Sequence, residues 1–93
     1  MPAFRNLPVE AVIDVRSVLE FWLGHLDGAT NIPVDRLPRE VDALGLKKNA
    51  RILVYCASGG RSAQAAALLA AAGYTRVVDG GGMAQARQEY RAA

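Results

Sequence analysis

Apolar residues in this chain come in short runs, separated by polar turns and glycines. Ala11 to Val15 is one such run, and its continuous apolar character predicts a strand buried on both faces. Ser17 then stands ahead of a helix over Val18 to Leu23. Glu20 falls at its third position, as in a capping box, and Gly24 ends it. Gly28 to Pro33 predicts a turn and a brief extended segment that Pro33 closes. Asp35 to Leu44 predicts a helix with Pro38 in its first turn and Gly45 at its end. Lys47 to Ala50 is a polar turn before a second strand, Arg51 to Tyr55. The Ala-rich stretch from Arg61 to Ala72 predicts a helix with Ala65, Leu68, Leu69 and Ala72 on its inward face, closed by Gly73. Arg76 to Asp79 reads as a further strand, Gly80 to Gly82 as a turn, and Met83 to Arg91 as a final helix. Strands alternating with helices predict an α/β fold, with a mainly parallel sheet covered by helices on both faces. Ligands in such sheets gather at the C-terminal strand ends. Cys56 and Asp79 fall at such ends, with Asp14 near another.

Composition narrows this picture. Ninety-three residues, 52% of them hydrophobic, predict one domain over 1–93 with a single core. The net charge of +2 comes from scattered basic residues, and six aromatics are too few to interleave with them, so nucleic acid is not an expected partner. The N-terminus lacks an apolar signal core and no run is long enough to span a bilayer, so no membrane association is expected. One cysteine forms no internal disulfide and is too few for a thiolate metal site; neither a metal nor a cofactor is called for. A lone free thiol suits a reducing compartment, which makes the cytoplasm the expected location.

That cysteine carries the candidate chemistry. Cys56 ends the strand, and Ala57, Ser58, Gly59, Gly60, Arg61 and Ser62 lead into the Ala-rich helix. The loop brings backbone N–H groups, a cation and a helix N-terminus to one place, an anion cradle around a nucleophile. Oriented amides and Arg61 lower a thiol pKa below its free value of about 8.5. An inert core cysteine is the commoner fate of a lone Cys; the flanking Ser-Gly-Gly-Arg favours a reactive one, which needs access as well as ionisation. Gly59 and Gly60 are expected to take positive φ so that the amides turn inward. Arg61 is read both as anion binder and as a structural ion pair, with Asp14 a possible carboxylate for it. Asp14 and Arg16 have two readings: orientation of the loop with donor binding by Arg16, or a structural salt bridge such as Arg16 with Glu20. The structural one is favoured. Phe21 and Trp22 are expected in the core. Asp79, ahead of three glycines, reads as a cap or loop support.

Three separated stretches resemble the single-domain rhodaneses, a family of sulfurtransferases. They are Asp14-Val15-Arg16 with Glu20-Phe21 and Gly24 to Pro33, then Tyr55 to Ser62, then Gly73-Tyr74 with Val77-Val78 and Gly81 to Met83. The resemblance runs from about Val12 to the C-terminus. It implies a rhodanese-like sheet of five parallel strands, of which four are visible in the sequence; the fifth is placed near Phe4. It implies that Cys56 takes a sulfane sulfur from a donor such as thiosulfate, becomes a persulfide, and passes the sulfur to cyanide or a thiol. A protein persulfide or thioredoxin-like protein is a further possible partner. It gives no role to a histidine base, so His25 is read as a structural hydrogen-bonder in its turn. The chain departs from its relatives at Ala57, where a polar or basic side chain is common, leaving Arg61 as the one loop cation. It departs again at Gly60 and after the second glycine motif, where Met83 to Ala86 lacks the usual aromatic. Cysteine phosphatases combine a thiolate, loop amides and an arginine in the same way, but with a loop one residue longer. The shorter ring here suits one terminal sulfur better than a tetrahedral oxyanion. A non-catalytic binding module is the third reading, and Cys56, Gly59 and Arg61 together count against it.

Overall fold

Every residue from Arg51 to Cys56 is buried, and this strand is the axis of the molecule. A computed structural model describes residues 1–93. The chain runs β1 (Ala3–Phe4), β2 (Leu7–Pro8), β3 (Ala11–Asp14), α1 (Val18–Trp22), β4 (Thr30–Asn31), a 3-10 turn (Val34–Arg36), α2 (Arg39–Asp42), β5 (Arg51–Cys56), α3 (Gly60–Ala71), β6 (Arg76–Gly82), α4 (Met83–Glu89) and β7 (Tyr90–Arg91). The main sheet has four parallel strands in the order β4-β3-β5-β6.

Alternation along β5 divides the core in two. Ile52, Val54 and Cys56 point to one face, among Val41 of α2 and Ala65 and Leu69 of α3. Leu53 and Tyr55 point to the other, among Phe4, Leu26 and Ala86 of α4. Helices thus cover both faces, as the alternation of elements predicts. Each fully buried aliphatic side chain contributes about 1.5–3 kcal/mol relative to exposure. Of the inward face expected for α3, Ala65 and Leu69 are fully buried, while Leu68 and Ala72 pack at the edge of the same cluster.

Several expectations are corrected. The segment near Phe4 does not add a fifth strand to the main sheet. It forms a separate antiparallel sheet, β2-β1-β7, because β1 finds partners in its own neighbour β2 and in the C-terminal Tyr90–Arg91. The final helix therefore stops at Glu89. Arg51 ties this small sheet to the main one, its guanidinium Nη1 donating to the carbonyls of Phe4 at 3.0 Å and Leu7 at 2.8 Å. The single helix expected over Asp35 to Leu44 is two pieces, because Pro38 forces Leu37 into extended backbone (φ −94°, ψ 148°). Gly80 to Gly82 is not a turn but the end of β6. Phe21 and Trp22 are not core residues. Phe21 is half-buried and stacks on His25, and Trp22 is 80% exposed on a five-residue helix that buries none of its side chains. No helix is long and apolar enough to cross a membrane.

Candidate active site

The Cys56 side chain stands at the C-terminal end of β5, where the strand hands over to the loop Ala57 to Gly59 and then to α3. Gly59 sits at φ +108°, a left-handed conformation that a residue with a Cβ rarely adopts, and this turns its N–H back toward the sulfur. That N–H donates to Cys56 Sγ at 2.9 Å. Gly60 does not share the positive φ expected of it; it is the first residue of α3. Burial by itself pushes the Cys56 thiol up. The Ser62 hydroxyl and the amides of Ser62, Gly59 and Ser58 outweigh it, and the thiol lies below its ordinary value. The Ser62 hydroxyl, itself buried, also reaches the Gly59 carbonyl at 3.0 Å, which holds the loop closed on the helix.

The expected exposed thiol is not found. Cys56 has no exposed surface, whereas Ala57, Ser58 and Gly60 around it are exposed. The same amides that stabilise a thiolate also cover it, so access to the sulfur runs through the loop. The two cavities, of about 280 and 300 Å³, lie elsewhere, one beside Arg5 and Glu89 and the other beside His25 and Arg87.

Arginine–carboxylate pairing differs from both sequence expectations. Arg61 does not reach for Asp14, and Arg16 does not pair with Glu20. Arg61 Nη1 and Nη2 donate to Glu20 Oε1 and Oε2 at 2.7 and 3.0 Å, a two-pronged pair between the first turn of α3 and α1. The Arg61 guanidinium beside Glu20, helped by the Ser17 backbone N–H, holds the Glu20 carboxyl down to about 2. Glu20 also completes the predicted capping box with Ser17. Arg16 is buried and bound to Asp14 through Nε and Nη2, with Nη2 also donating to the Gly24 carbonyl at 2.6 Å. Tyr55 donates its hydroxyl to Asp14 Oδ2 at 2.8 Å and accepts the Leu26 N–H at 3.0 Å. Asp14 and Arg16 thus fix the turn after β3, and Arg16 keeps only 7% of its side-chain surface exposed.

Three contributors were not singled out from the sequence. Tyr55 read as one more apolar strand residue. Glu20 was legible as a helix cap but not as the partner of Arg61. Gly82 read as a turn residue, yet it packs directly behind the loop: a Cβ there would lie 2.6 Å from the Ala57 carbonyl oxygen. The glycine run was the only available signal. Asp79 accepts the Gly81 N–H at 2.9 Å within the end of β6, and does not cap α4, in place of the cap or loop support expected of it. His25 hydrogen-bonds the Phe21 carbonyl through Nδ1 at 2.8 Å, the structural contact expected of it. No three His, Cys, Asp or Glu side chains converge as a metal site would require.

A thiol below its ordinary pKa, ringed by amides at a helix N-terminus on a parallel α/β sheet, is the setting of a cysteine nucleophile. The family description that matches the chain is the rhodanese-like domain, over residues 4–86. This chain belongs to the rhodanese-like family. It is 37% identical over 81 residues to the thiosulfate sulfurtransferase PspE of Escherichia coli (strain K12), covering 84% of this chain and 78% of that relative. It is 36% identical over 87 residues to the tRNA uridine(34) hydroxylase of Erwinia tasmaniensis, covering 87% of this chain but 25% of that longer relative. Among solved structures, a rhodanese with anions from E. coli matches with a TM-score of 0.72 and 34% identity, over 89% of this chain and 98% of that one. The Alr3790 protein of Anabaena sp. matches with a TM-score of 0.77 and 32% identity, over 87% and 72%. The rhodanese-like family and its parallel α/β architecture are those the three sequence stretches imply.

Proposed function

We propose that this chain is a sulfurtransferase that carries a sulfane sulfur as a persulfide on Cys56, from a donor such as thiosulfate to a thiophilic acceptor such as cyanide or a thiol. The observation that carries the reading is the Gly59 N–H aimed at Cys56 Sγ from 2.9 Å, at the start of α3. The thiolate attacks the terminal sulfur of thiosulfate. The S–S bond of the donor breaks, sulfite leaves with the bonding pair, and Cys56 holds an outer sulfur with one negative charge. The acceptor then attacks that outer sulfur, and the thiolate leaves and is restored. No external oxidant or reductant enters either step.

The loop residues divide the work. Amides of Ser58, Gly59 and Ser62 stabilise first the thiolate and then the persulfide, in a site where such dipoles need no reorganisation. Ala57 and Gly60 leave the rim of the cradle uncrowded. Arg61 supplies the one cation of the loop. The four residues between Cys56 and Arg61 make a ring that fits a single sulfur, which favours sulfur transfer over oxyanion chemistry. The acceptor thiol in this reading is a small molecule or one borne by a thioredoxin-like or persulfide-carrying protein. A lone thiol stays reduced and ready in the cytoplasm, the compartment that suits this reading.

Mass spectrometry of thiosulfate-treated protein tests the first half-reaction. The expected result is a gain of about one sulfur atom on the Cys56 peptide, reversed by cyanide. Cys56→Ser is expected to fold, to gain nothing, and to lose sulfur transfer to cyanide, because a neutral hydroxyl cannot hold a persulfide. Transfer at the wild-type level in that variant would overturn the reading.

A further inference from the structure

The charges around the Cys56 loop cancel. Arg61 is the one cation the loop contains, since the residue after the cysteine is Ala57. Both of its terminal nitrogens are engaged by the two oxygens of Glu20, at 2.7 and 3.0 Å. The nearby Arg16 is matched in the same way by Asp14 and is buried. Two arginines and two carboxylates therefore sum to zero, and only amide dipoles and the thiolate itself remain. Amide dipoles suffice to hold one anionic sulfur. They do not offset the full charge of a donor that arrives with two negative charges beside a thiolate. The Arg61–Glu20 pair keeps about a third of its side-chain surface exposed, 38% and 34%, so its charge balance is felt where a donor approaches.

Building on the sulfurtransferase reading, we propose that Glu20 is a specificity-determining residue: by cancelling Arg61 it biases the site against dianionic sulfur donors and toward donors of lower charge. Glu20 touches no reacting atom. It acts through Arg61, as a positioning residue whose negative charge sets what the loop arginine can offer. Its place makes the effect separable from folding. Glu20 sits at the third position of α1, where its Oε1 accepts the Ser17 N–H at 3.1 Å. Glutamine serves a capping box as well as glutamate does. Glu20→Gln therefore keeps the cap, removes the charge, and puts a donor amide where Oε2 accepted from Arg61.

The test compares two donors that react alike and differ in charge. Thiosulfate is a dianion and releases sulfite. Methanethiosulfonate is a monoanion and releases a sulfinate. In each case the Cys56 thiolate takes the terminal sulfur, and cyanide serves as acceptor. For Glu20→Gln the KM for thiosulfate is expected to fall roughly threefold to tenfold, the KM for methanethiosulfonate to fall less, and kcat to change little. The ratio of kcat/KM values thus shifts at least about threefold toward thiosulfate, and the shift shrinks in high salt. Ser17→Ala loosens the same capping box without changing any charge, and its donor ratio is expected to match wild type. An equal change for both donors in Glu20→Gln, poorer use of thiosulfate, or the same shift in Ser17→Ala would each overturn the proposal. Wild-type protein inactive with both donors would instead overturn the sulfurtransferase reading beneath it.

Discussion

Two arginine–carboxylate pairs lie at the same edge of the sheet, and their settings differ. Arg16 and Asp14 expose 7% and 0% of their side-chain surface, while Arg61 and Glu20 expose 38% and 34%. The first pair is densely hydrogen-bonded: Asp14 takes donors from the Arg16 backbone and guanidinium and from Tyr55, and Arg16 Nη2 also donates to the Gly24 carbonyl. Such a pair cannot turn toward a ligand without leaving a buried charge unmatched, so it serves to fix the turn after β3. The second pair is partly exposed, joins the first turn of α3 to the short helix α1, and costs little to rearrange. The same two functional groups make scaffolding in one place and an adjustable charge near the Cys56 loop in the other. Burial and the number of satisfied hydrogen bonds decide which.

The sharpest way to break this contrast is Asp14→Asn. It leaves the buried Arg16 without a counter-charge and is expected to destabilise the protein by about 3–5 kcal/mol, read by urea unfolding. A loss below about 1 kcal/mol would mean that the inner pair is not scaffolding. Tyr55→Phe probes the same cluster more gently. It removes one donor to Asp14 and strands the Leu26 N–H, for an expected loss of about 1–3 kcal/mol by the same measurement.

The outer pair should behave in the opposite way. Arg61→Ala is expected to change stability by only about 0–1 kcal/mol, as for exposed pairs generally. It leaves Glu20 unmatched beside the thiolate, so thiosulfate KM should rise by roughly tenfold in the sulfur-transfer assay. A large loss of stability with unchanged KM would reverse the assignments of the two pairs.

The smallest expected effect is on acid stability. Glu20 has its carboxyl lowered from an ordinary 4.5 to about 2 in the folded protein. A carboxylate with a depressed folded pKa contributes stability that is fully present above its unfolded value and is lost as pH falls through the folded one. The wild-type advantage over Glu20→Gln should therefore be constant near neutrality and should shrink between about pH 4.5 and 2, a small change because the pair is solvent-screened. Urea midpoints of the two proteins at pH 7 and pH 3 check the sign; an advantage that grows in acid would contradict the pairing.

Much of the fold was legible because local signals and tertiary demands agree. The apolar runs at Ala11 and Arg51 are strands because a parallel sheet buries both faces, which demands continuous apolar sequence. Ser17 and Glu20 announce a helix start by chemistry confined to four residues. The cysteine, glycine and arginine of the loop announce an anion cradle because loop amides and a helix N-terminus follow from backbone geometry alone.

What misled was residue type read without neighbours. Trp22 is apolar and was expected inside, yet α1 is too short to bury a face. Gly80 to Gly82 carries turn residues but continues the strand, because Gly82 pairs with Cys56 of β5, and a Cβ at Gly82 would meet the Ala57 carbonyl oxygen. Phe4 lies in a strand, but in a second sheet, because its partners come from both ends of the chain.

By itself, then, the sequence determined the parallel α/β scaffold and the amide-lined loop around Cys56, since each depends on contacts within a few residues or on periodicity along one element. Only the tertiary structure decided which carboxylate meets which arginine, how deeply the sulfur is covered, and which glycines stand behind the loop. Asp14, Glu20, Arg16 and Arg61 allow more than one pairing at nearly equal Coulomb energy. The choice falls to the distances that packing of β3, α1 and α3 imposes, and no local pattern encodes those distances.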